Sequence, residues 1–421
     1  MFPQLHALEA DGRPLNVGLI GVGAMGLGIA HSVVRTPGMR LSLVADDRPE
    51  ATGAARNVAV GAGQPAPVTS QDGLALLRSD AAPLDVLVES TNTVGPAAAY
   101  VLAAVDRGAH VVLMNAEVDL AFGQLFRQVA ARAGVVVTSD AGDQHGVLAR
   151  LLDEVEFWGL PIVQAGNIKG FLNRHATADD LLHEAAIRHL NPIQCCAYTD
   201  GTKLGIEMAL LANARNLPPF VRGMEGPACQ DVRQVLDPHP LFPFDDYAPT
   251  GHVDYILGAE PGPGVYVVAR CDEPLQQRYL EYYKLGTGPY YLFYRPYHLC
   301  HLETTRAIAL AALRREPVLT PAAGRVADVF AVAKRDLTAG ESFRHGIGGE
   351  KCYGLIDLAQ AGDASDQVPI CELEADDAQG GRATLVHPVP KDSPITRADV
   401  RFPDTPLHRL LHRQSQIAPA R

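Results

Sequence analysis

Val17-Gly18-Leu19-Ile20-Gly21-Val22-Gly23-Ala24-Met25-Gly26 decides the fold. An apolar run reaches three glycines in the spacing G-x-G-x-x-G and passes into a helical pattern, which reads as a nucleotide-binding strand, turn and helix. The first glycine permits the tight turn, the second lets a pyrophosphate approach the backbone, and the third lets the helix pack closely on the strand. Free N–H groups at the helix N-terminus then face the phosphates. A second apolar run, Leu41-Ser42-Leu43-Val44-Ala45, ends on Asp46, the expected distance onward for an acid that binds ribose hydroxyls. Asp46 favours NAD over NADP by repelling a 2′-phosphate, and nearby Arg48 softens that preference. The candidate cofactor residues here are Gly21, Gly23, Ala24, Met25, Gly26, Asp46 and Arg48.

Outward from this turn the chain alternates strand and helix. Asp85 to Glu89 predicts a strand, Ala97 to Arg107 a helix, His110 to Met114 a strand, Gly123 to Ala133 a helix and Val135 to Thr138 a strand. That is the rhythm of a doubly wound parallel sheet. Ligands of such sheets lie beyond the carboxyl ends of the strands. Ser90, Thr91, Asn115, Glu117 and Asp143 are therefore expected at the nicotinamide crevice, although loop polarity and helix capping also explain polar residues there.

The 421 residues suggest two or three domains, and 47% hydrophobic residues suffice for real cores. Met1 to Pro14 has neither the basic nor the apolar region of an export signal, and no apolar run approaches a membrane span, so a cytoplasmic location is expected. Seven cysteines in scattered positions read as reduced thiols rather than a disulfide framework or zinc knuckle. A formal charge of -12 argues against a nucleic-acid surface. The expected partners are a small-molecule substrate and further copies of the chain, as a dimer or tetramer, with no nucleic acid and no membrane.

Hydride transfer at a carbon bearing oxygen needs a group to hold the oxygen and move its proton, and a lysine whose pKa a neighbour lowers does both. Lys169 and Lys203 are the candidates. Lys203 and Glu207, four apart on a helix predicted from Thr202 to Ala214, share a face as an ion pair or proton relay, a spacing that a plain surface salt bridge also fits. Asp200 completes the catalytic candidates. Tyr290 to His301 reads as a strand leading to a helix over Leu302 to Arg315. Arg295 and Lys284 would meet a distal phosphate or carboxylate, with Asn173, Arg174, Tyr297 and His298 as further substrate candidates. His298, Cys300, His301 and Glu303 match no zinc spacing. If the reaction were a reductoisomerisation, magnesium or manganese on Glu207 or Asp200 would polarise both oxygens. Pro238 to Gly251 is a lid or an insertion loop. Beyond Pro317 short strands and turns follow, at Val329–Lys334, Asp336–Gly340, Gly346–Gly349, Ile370–Leu373 and Ala383–Val386, with Lys334 and Tyr353 as residues able to reach a substrate. The tail after Arg401 is a surface helix or a frayed end.

Asp85 to Glu117 and Asn167-Ile168-Lys169-Gly170-Phe171-Leu172-Asn173 resemble homoserine dehydrogenases. However, Asn115-Ala116 replaces their Asn-Lys, and Lys203 and Glu207 reverse the charges of their acid and lysine. Gly166 to Thr177, Asp200 to Met208 and Gly288-Pro289-Tyr290-Tyr291-Leu292-Phe293-Tyr294-Arg295-Pro296-Tyr297-His298 more closely resemble homoserine-dehydrogenase-like oxidoreductases with a C-terminal SAF, or β-clip, domain. That group includes the DXR-like 1-deoxy-D-xylulose 5-phosphate reductoisomerase. The resemblance implies an α/β chain with an N-terminal Rossmann domain over 1–150, completed by 300–320, and an α+β substrate and oligomerisation domain over 151–300. A mostly-β SAF-like domain over 321–405 and a tail over 406–421 follow. The expected activity is that of an NAD(P)-dependent oxidoreductase, with NAD slightly favoured, on a small carbohydrate-derived CH–OH compound (sugar, sugar phosphate or polyol). Reductoisomerisation of 1-deoxyxylulose 5-phosphate is its sharpest form. The alternatives are a plain sugar dehydrogenase or epimerase of secondary metabolism, and a non-catalytic NAD(H) sensor or scaffold.

Overall fold

The computed structural model describes residues 1–237, 241–359, 366–375 and 381–417. Six parallel strands build the first sheet: β1 (Leu15–Ile20), β2 (Met39–Ala45), β3 (Val68–Ser70), β4 (Val86–Glu89), β5 (His110–Leu113) and β6 (Val137–Ser139). Their order, β3-β2-β1-β4-β5-β6, reverses direction between β1 and β4, the arrangement of a dinucleotide-binding sheet with its ligand crevice at that switch. β1, β4 and β5 are almost wholly buried, as near-continuous apolar runs require when helices cover both faces. The helix predicted from Gly123 begins earlier, at Ala116. Asn115 caps it by accepting from Val118 N–H at 3.1 Å, and this cap sets the start seven residues ahead of the apolar pattern used to predict it.

The second sheet is mixed. β7 (Ile162–Lys169) pairs parallel with β8 (His252–Leu257) and antiparallel with β9 (Gly264–Arg270), and β9 pairs antiparallel with β10 (Tyr290–Arg295). Phe242 and Phe244 pack on it with Val163, Ile256, Tyr266 and Val268, so the described part of the segment read as lid or insertion covers one face of this sheet. Pro238 to Pro240, where that segment begins, lie outside the described residues. After β10 the chain returns to the first sheet. The helix Cys300–Ala309 buries Ala307, Ile308 and Ala309 in the core that holds Val17, Leu19 and Val88, and Ser139 N–H donates to Leu319 C=O at 3.1 Å beside β6.

The C-terminal region contains two small antiparallel pairs, β11 (Ala327–Ala333) with β12 (Cys352–Leu358) and β13 (Thr384–Leu385) with β14 (Val400–Arg401). Ile370–Leu373, expected among the strands, is a turn of 3₁₀-helix. Pro369 precedes it, and Ile370 and Leu373, three apart, are both buried as the threefold repeat of that helix dictates. β12 escaped the sequence reading because Gly354 interrupts it. A Cβ there would meet Val329 Cγ1 at 2.4 Å, so glycine is what lets the strand lie against β11. The tail forms the helix Pro406–Ser415, and Gln414 Oε1 accepts from Leu125 N–H at 2.7 Å. No helix among the described residues is long and apolar enough to cross a membrane.

Candidate active site

The turn after β1 has the shape its glycines imply. Gly21 adopts φ +88°, and a Cβ on it would meet the Ser90 and Thr91 backbone at 2.6 Å. A Cβ on Gly26 would stand 2.0 Å from Gly21 C=O, while one on Gly23 would meet nothing within 4 Å. The second glycine therefore faces open space at the N-terminus of the helix Ala24–Arg35, where an anionic ligand fits. Asp46 closes the turn from the end of β2, accepting from Val22 N–H at 2.7 Å and Arg48 Nε at 3.0 Å. Burial works against its charge, and these hydrogen bonds more than offset that, holding the carboxyl below its ordinary value.

A cleft of about 1620 Å³ runs from this crevice between the two sheets to the C-terminal region. It exceeds the roughly 300–1,000 Å³ typical of a small-molecule pocket. Met25, Ser90, Thr91, Asn115, Glu117 and Asp143 line one part of it, Lys169, Lys203, Glu207, His298 and Cys300 the middle, and Arg344 and His345 another part. The strand ends and helix starts place these groups. Asp143 caps the helix Gln144–Phe157 by accepting from Gln144 N–H at 3.0 Å, Lys169 ends β7, and Lys203 and Glu207 sit on the helix Thr202–Arg215.

The pairing of these charges differs from the expectation. Lys203 Nζ lies 3.2 Å from Glu117 and 3.8 Å from Asp143, with 6% of its side chain exposed. Glu207 instead faces Lys169 at 3.4 Å and accepts from Asn167 Nδ2 at 2.8 Å, and Lys169 also donates to Gln144 Oε1 at 2.6 Å. Burial alone would lower the Lys203 pKa, but Glu117 and Asp143 outweigh it and hold the ammonium well above its usual value. In place of a lysine kept neutral by a lowered pKa, Lys203 is a fixed cation. Burial raises the Glu207 carboxyl against the opposing pull of Lys169. Gln144 and Asn167 were missed by the sequence reading. Their only signal was their place beside Asp143 and Lys169.

Asp200 stands outside the cleft. It caps the turn into the following helix by accepting from Thr202 N–H at 2.8 Å, and it pairs at 2.8 Å with Lys334, itself bonded to Ala176 and Gly349 C=O at 2.7 Å. Tyr353 donates to Asp392 at 3.1 Å. Of the substrate candidates only His298 lines the cleft. Arg295 is engaged with Glu303 at 2.8 Å and over the Tyr297 ring, Asn173 accepts from His175 N–H at 3.2 Å, and Arg174 borders a small recess with Gly223 and Tyr255. Lys284 lies at the C-terminal end of the helix Pro274–Tyr282, away from the cleft lining. Glu207 and Asp200, the residues expected to hold magnesium, each face an ammonium, Lys169 at 3.4 Å and Lys334 at 2.8 Å.

Glu89, at the carboxyl end of β4, is wholly buried, and burial pushes its pKa up to about 7. Its Oε1 accepts from Thr91 N–H at 3.0 Å, whereas Oε2 has no hydrogen-bond partner. The native state therefore holds more protons than the unfolded chain between the ordinary carboxylate range and pH 7, and stability falls as pH rises through that window. Glu89→Gln removes the buried charge and keeps the Oε1 acceptor. Its urea midpoint should equal the wild type's near pH 4 and exceed it by about 3 kcal/mol of stability at pH 8. A gap that does not change with pH would show that Glu89 titrates alike in the folded and unfolded states, so that burial does not raise its carboxyl.

Residues 142–304 match the family model described as "Oxidoreductase DRL, catalytic domain". The matched segment contains Asp143, Lys169, Lys203, Glu207, His298 and Cys300. No curated protein matches the chain by sequence. Among solved structures it is similar to a "probable dehydrogenase" from Thermotoga maritima (12% identity over 73% of this chain and 91% of that one, TM-score 0.43). Other similar structures are the apo scyllo-inositol dehydrogenase of Lactobacillus casei (16% identity, 37% and 46%, TM-score 0.29) and the homoserine dehydrogenase of S. aureus (18% identity, 35% and 44%, TM-score 0.25). This chain spans less than half the length of the last two.

Proposed function

We propose that the protein is a nicotinamide-dependent oxidoreductase that transfers hydride to or from a small polyol or sugar-like substrate, with NAD(H) preferred. The observation that carries this is one cleft that reaches Met25, on the first turn of the helix behind the glycine turn, and continues to a set of two lysines and three carboxylates that are buried or nearly so. The turn Gly21 to Gly26 would hold the pyrophosphate, with Asp46 beside the ribose and Ser90, Thr91 and Asn115 near the nicotinamide. When bound, the cofactor supplies or accepts the hydride. Lys203 donates to the reacting oxygen and is fixed in place by Glu117 and Asp143. The Lys169–Glu207 pair receives or returns the hydroxyl proton, with Gln144 and Asn167 orienting it. The C-terminal region, likened to SAF modules, closes the cleft with Arg344, His345 and Glu374 among its lining residues.

The test is to follow the near-ultraviolet band of NADH and NADPH against polyols, sugars and sugar phosphates, with and without magnesium. Turnover of an unphosphorylated polyol or sugar without magnesium supports the reading. A magnesium-dependent signal confined to 1-deoxyxylulose 5-phosphate would replace it with reductoisomerisation. Tight NADH binding with no turnover would replace it with a redox sensor.

Two glycine variants separate fold from ligand. Gly23→Ala adds a methyl group that meets no protein atom but occupies the face offered to the phosphates, so NADH binding should weaken about tenfold or more while the melting temperature stays put. In Gly26→Ala the same methyl collides with Gly21 C=O, so stability should fall by about 1–3 kcal/mol along with binding. Calorimetric titration and thermal unfolding of both variants check this.

A further inference from the structure

We infer that Asp143, His298 and Cys300 form a binding site for a divalent ion of the zinc type on the wall of the cleft. One ligand atom from each lies within 4.8 Å of the other two, and among the described residues this is the group of such side chains that gathers in this way. Cys300 Sγ and His298 Nδ1 are 3.5 Å apart. A tetrahedral ion with bonds of about 2.0 Å to nitrogen and about 2.3 Å to sulfur sets those two atoms about 3.5 Å apart. Residues far apart in sequence are brought together by close backbone contact. The loop after β6 crosses the start of the helix Cys300–Ala309 at Gly142, where a Cβ would meet Cys300 C=O at 2.5 Å.

The polypeptide satisfies these groups only in part: His298 Nδ1 stands 3.3 Å from Gly142 C=O and 3.5 Å from Cys300 Sγ, long contacts that an ion would replace. Asp143 Oδ1 accepts from Gln144 N–H, but Oδ2 stands 3.8 Å from Lys203 Nζ and 3.9 Å from His145 Nδ1, both beyond hydrogen-bond reach. His145 is 1% exposed, and neither of its ring nitrogens has a hydrogen-bond partner. A buried imidazole in that state, turned toward Asp143, points to a partner that the chain does not supply. Nitrogen and sulfur donors beside one carboxylate select zinc, cobalt or iron over magnesium, which takes oxygen ligands. Binding releases the Cys300 thiol proton to solvent, and the thiolate and carboxylate together balance the two positive charges. Three protein ligands leave a fourth position, and all three residues line the cleft, so that position is open to a substrate oxygen as in catalytic zinc sites. The ion would polarise that oxygen. This catalytic meaning rests on the function proposed above, whereas the site itself does not.

The full-length protein, stripped with a chelator, is titrated with Co(II) and, separately, its zinc content is measured after expression in zinc-supplemented medium. The expected result is one ion per chain, strong visible bands of four-coordinate Co(II) and a near-ultraviolet thiolate-to-cobalt band. Cys300→Ser should abolish the thiolate band. His298→Gln should weaken binding by more than about 100-fold, beyond the loss that an outer partner causes, and it decides the matter if Cys300→Ser does not fold. Uptake without the thiolate band, or spectra unchanged in both variants, would overturn the site. Uptake with the band in a protein that transfers no hydride supports the site and overturns the function. Hydride transfer in a protein that takes up no ion does the reverse.

Discussion

Lys203→Met is expected to lower kcat by about 10³-fold while the protein still folds and binds NADH. The ammonium is the group in the cleft whose position is most fully determined. It is buried, lies 3.2 Å from Glu117 and 3.8 Å from Asp143, and stands on the helix Thr202–Arg215, of which all but the last two residues are buried. A donor held in advance where negative charge grows on the reacting oxygen contributes about 10²–10³ in rate, and acid–base participation adds to this. The effect should fall on kcat more than on KM, because the interaction strengthens as the oxygen becomes charged. Methionine keeps most of the side-chain volume but leaves Glu117 and Asp143 facing one another without a cation, so Lys203→Arg is the necessary companion. The guanidinium restores the charge with a different reach, and partial recovery of kcat would show that charge at this point matters. Steady-state kinetics with the substrate found in the cofactor screen, together with melting temperatures, separate the outcomes. A Lys203→Met enzyme with unchanged kcat and lowered stability would make Lys203 a structural cation and leave Lys169 as the oxygen-binding group.

What could be read from the sequence was local. Gly21, Gly23 and Gly26 act within ten residues, so the turn, the helix behind it and the doubly wound parallel character of the sheet were accessible from spacing and alternation, whereas the order of its strands was not read. The strand ends carrying Ser90, Asn115, Glu117 and Asp143 followed from the rule that ligands gather at carboxyl ends, and all four line the cleft. Pairing was not accessible. The i,i+4 spacing of Lys203 and Glu207 suggested one bridge, yet the partner of Lys203 is Glu117, 86 positions away, and that of Glu207 is Lys169, 38 positions away. A helix spacing says that two side chains share a face, not that a nearer partner is absent from the elements packed against that face. Arg295 shows the same limit, because its charge is taken up by Glu303 one turn into the next helix. Arg344 lines the cleft from a C-terminal loop whose approach depends on the whole chain, and nothing in its own neighbourhood of sequence signalled that.

Asp200 provides the opposite case, a residue that reads as catalytic by its company and is structural by its contacts, and Asp200→Asn should separate the two. The carboxylate and Lys334 are both almost fully buried, and their 2.8 Å contact joins the start of the helix that carries Lys203 and Glu207 to the end of β11. Removing one partner of such a pair leaves an uncompensated buried charge, which costs about 3–5 kcal/mol. Lys334 retains the carbonyls of Ala176 and Gly349, so the loss should fall toward the lower end of that range. The asparagine still accepts from Thr202 N–H, which keeps the cap and confines the effect to charge. Combining Asp200→Asn with Lys334→Met removes the stranded ammonium, and the double variant should be more stable than the sum of the single effects predicts, by an amount that measures the coupling. Urea unfolding of the four proteins gives this directly. At temperatures where the single variant remains folded, its kcat should stay within about threefold of wild type, since neither residue lines the cleft. A fall in kcat comparable to that of Lys203→Met without loss of stability would return Asp200 to the reaction.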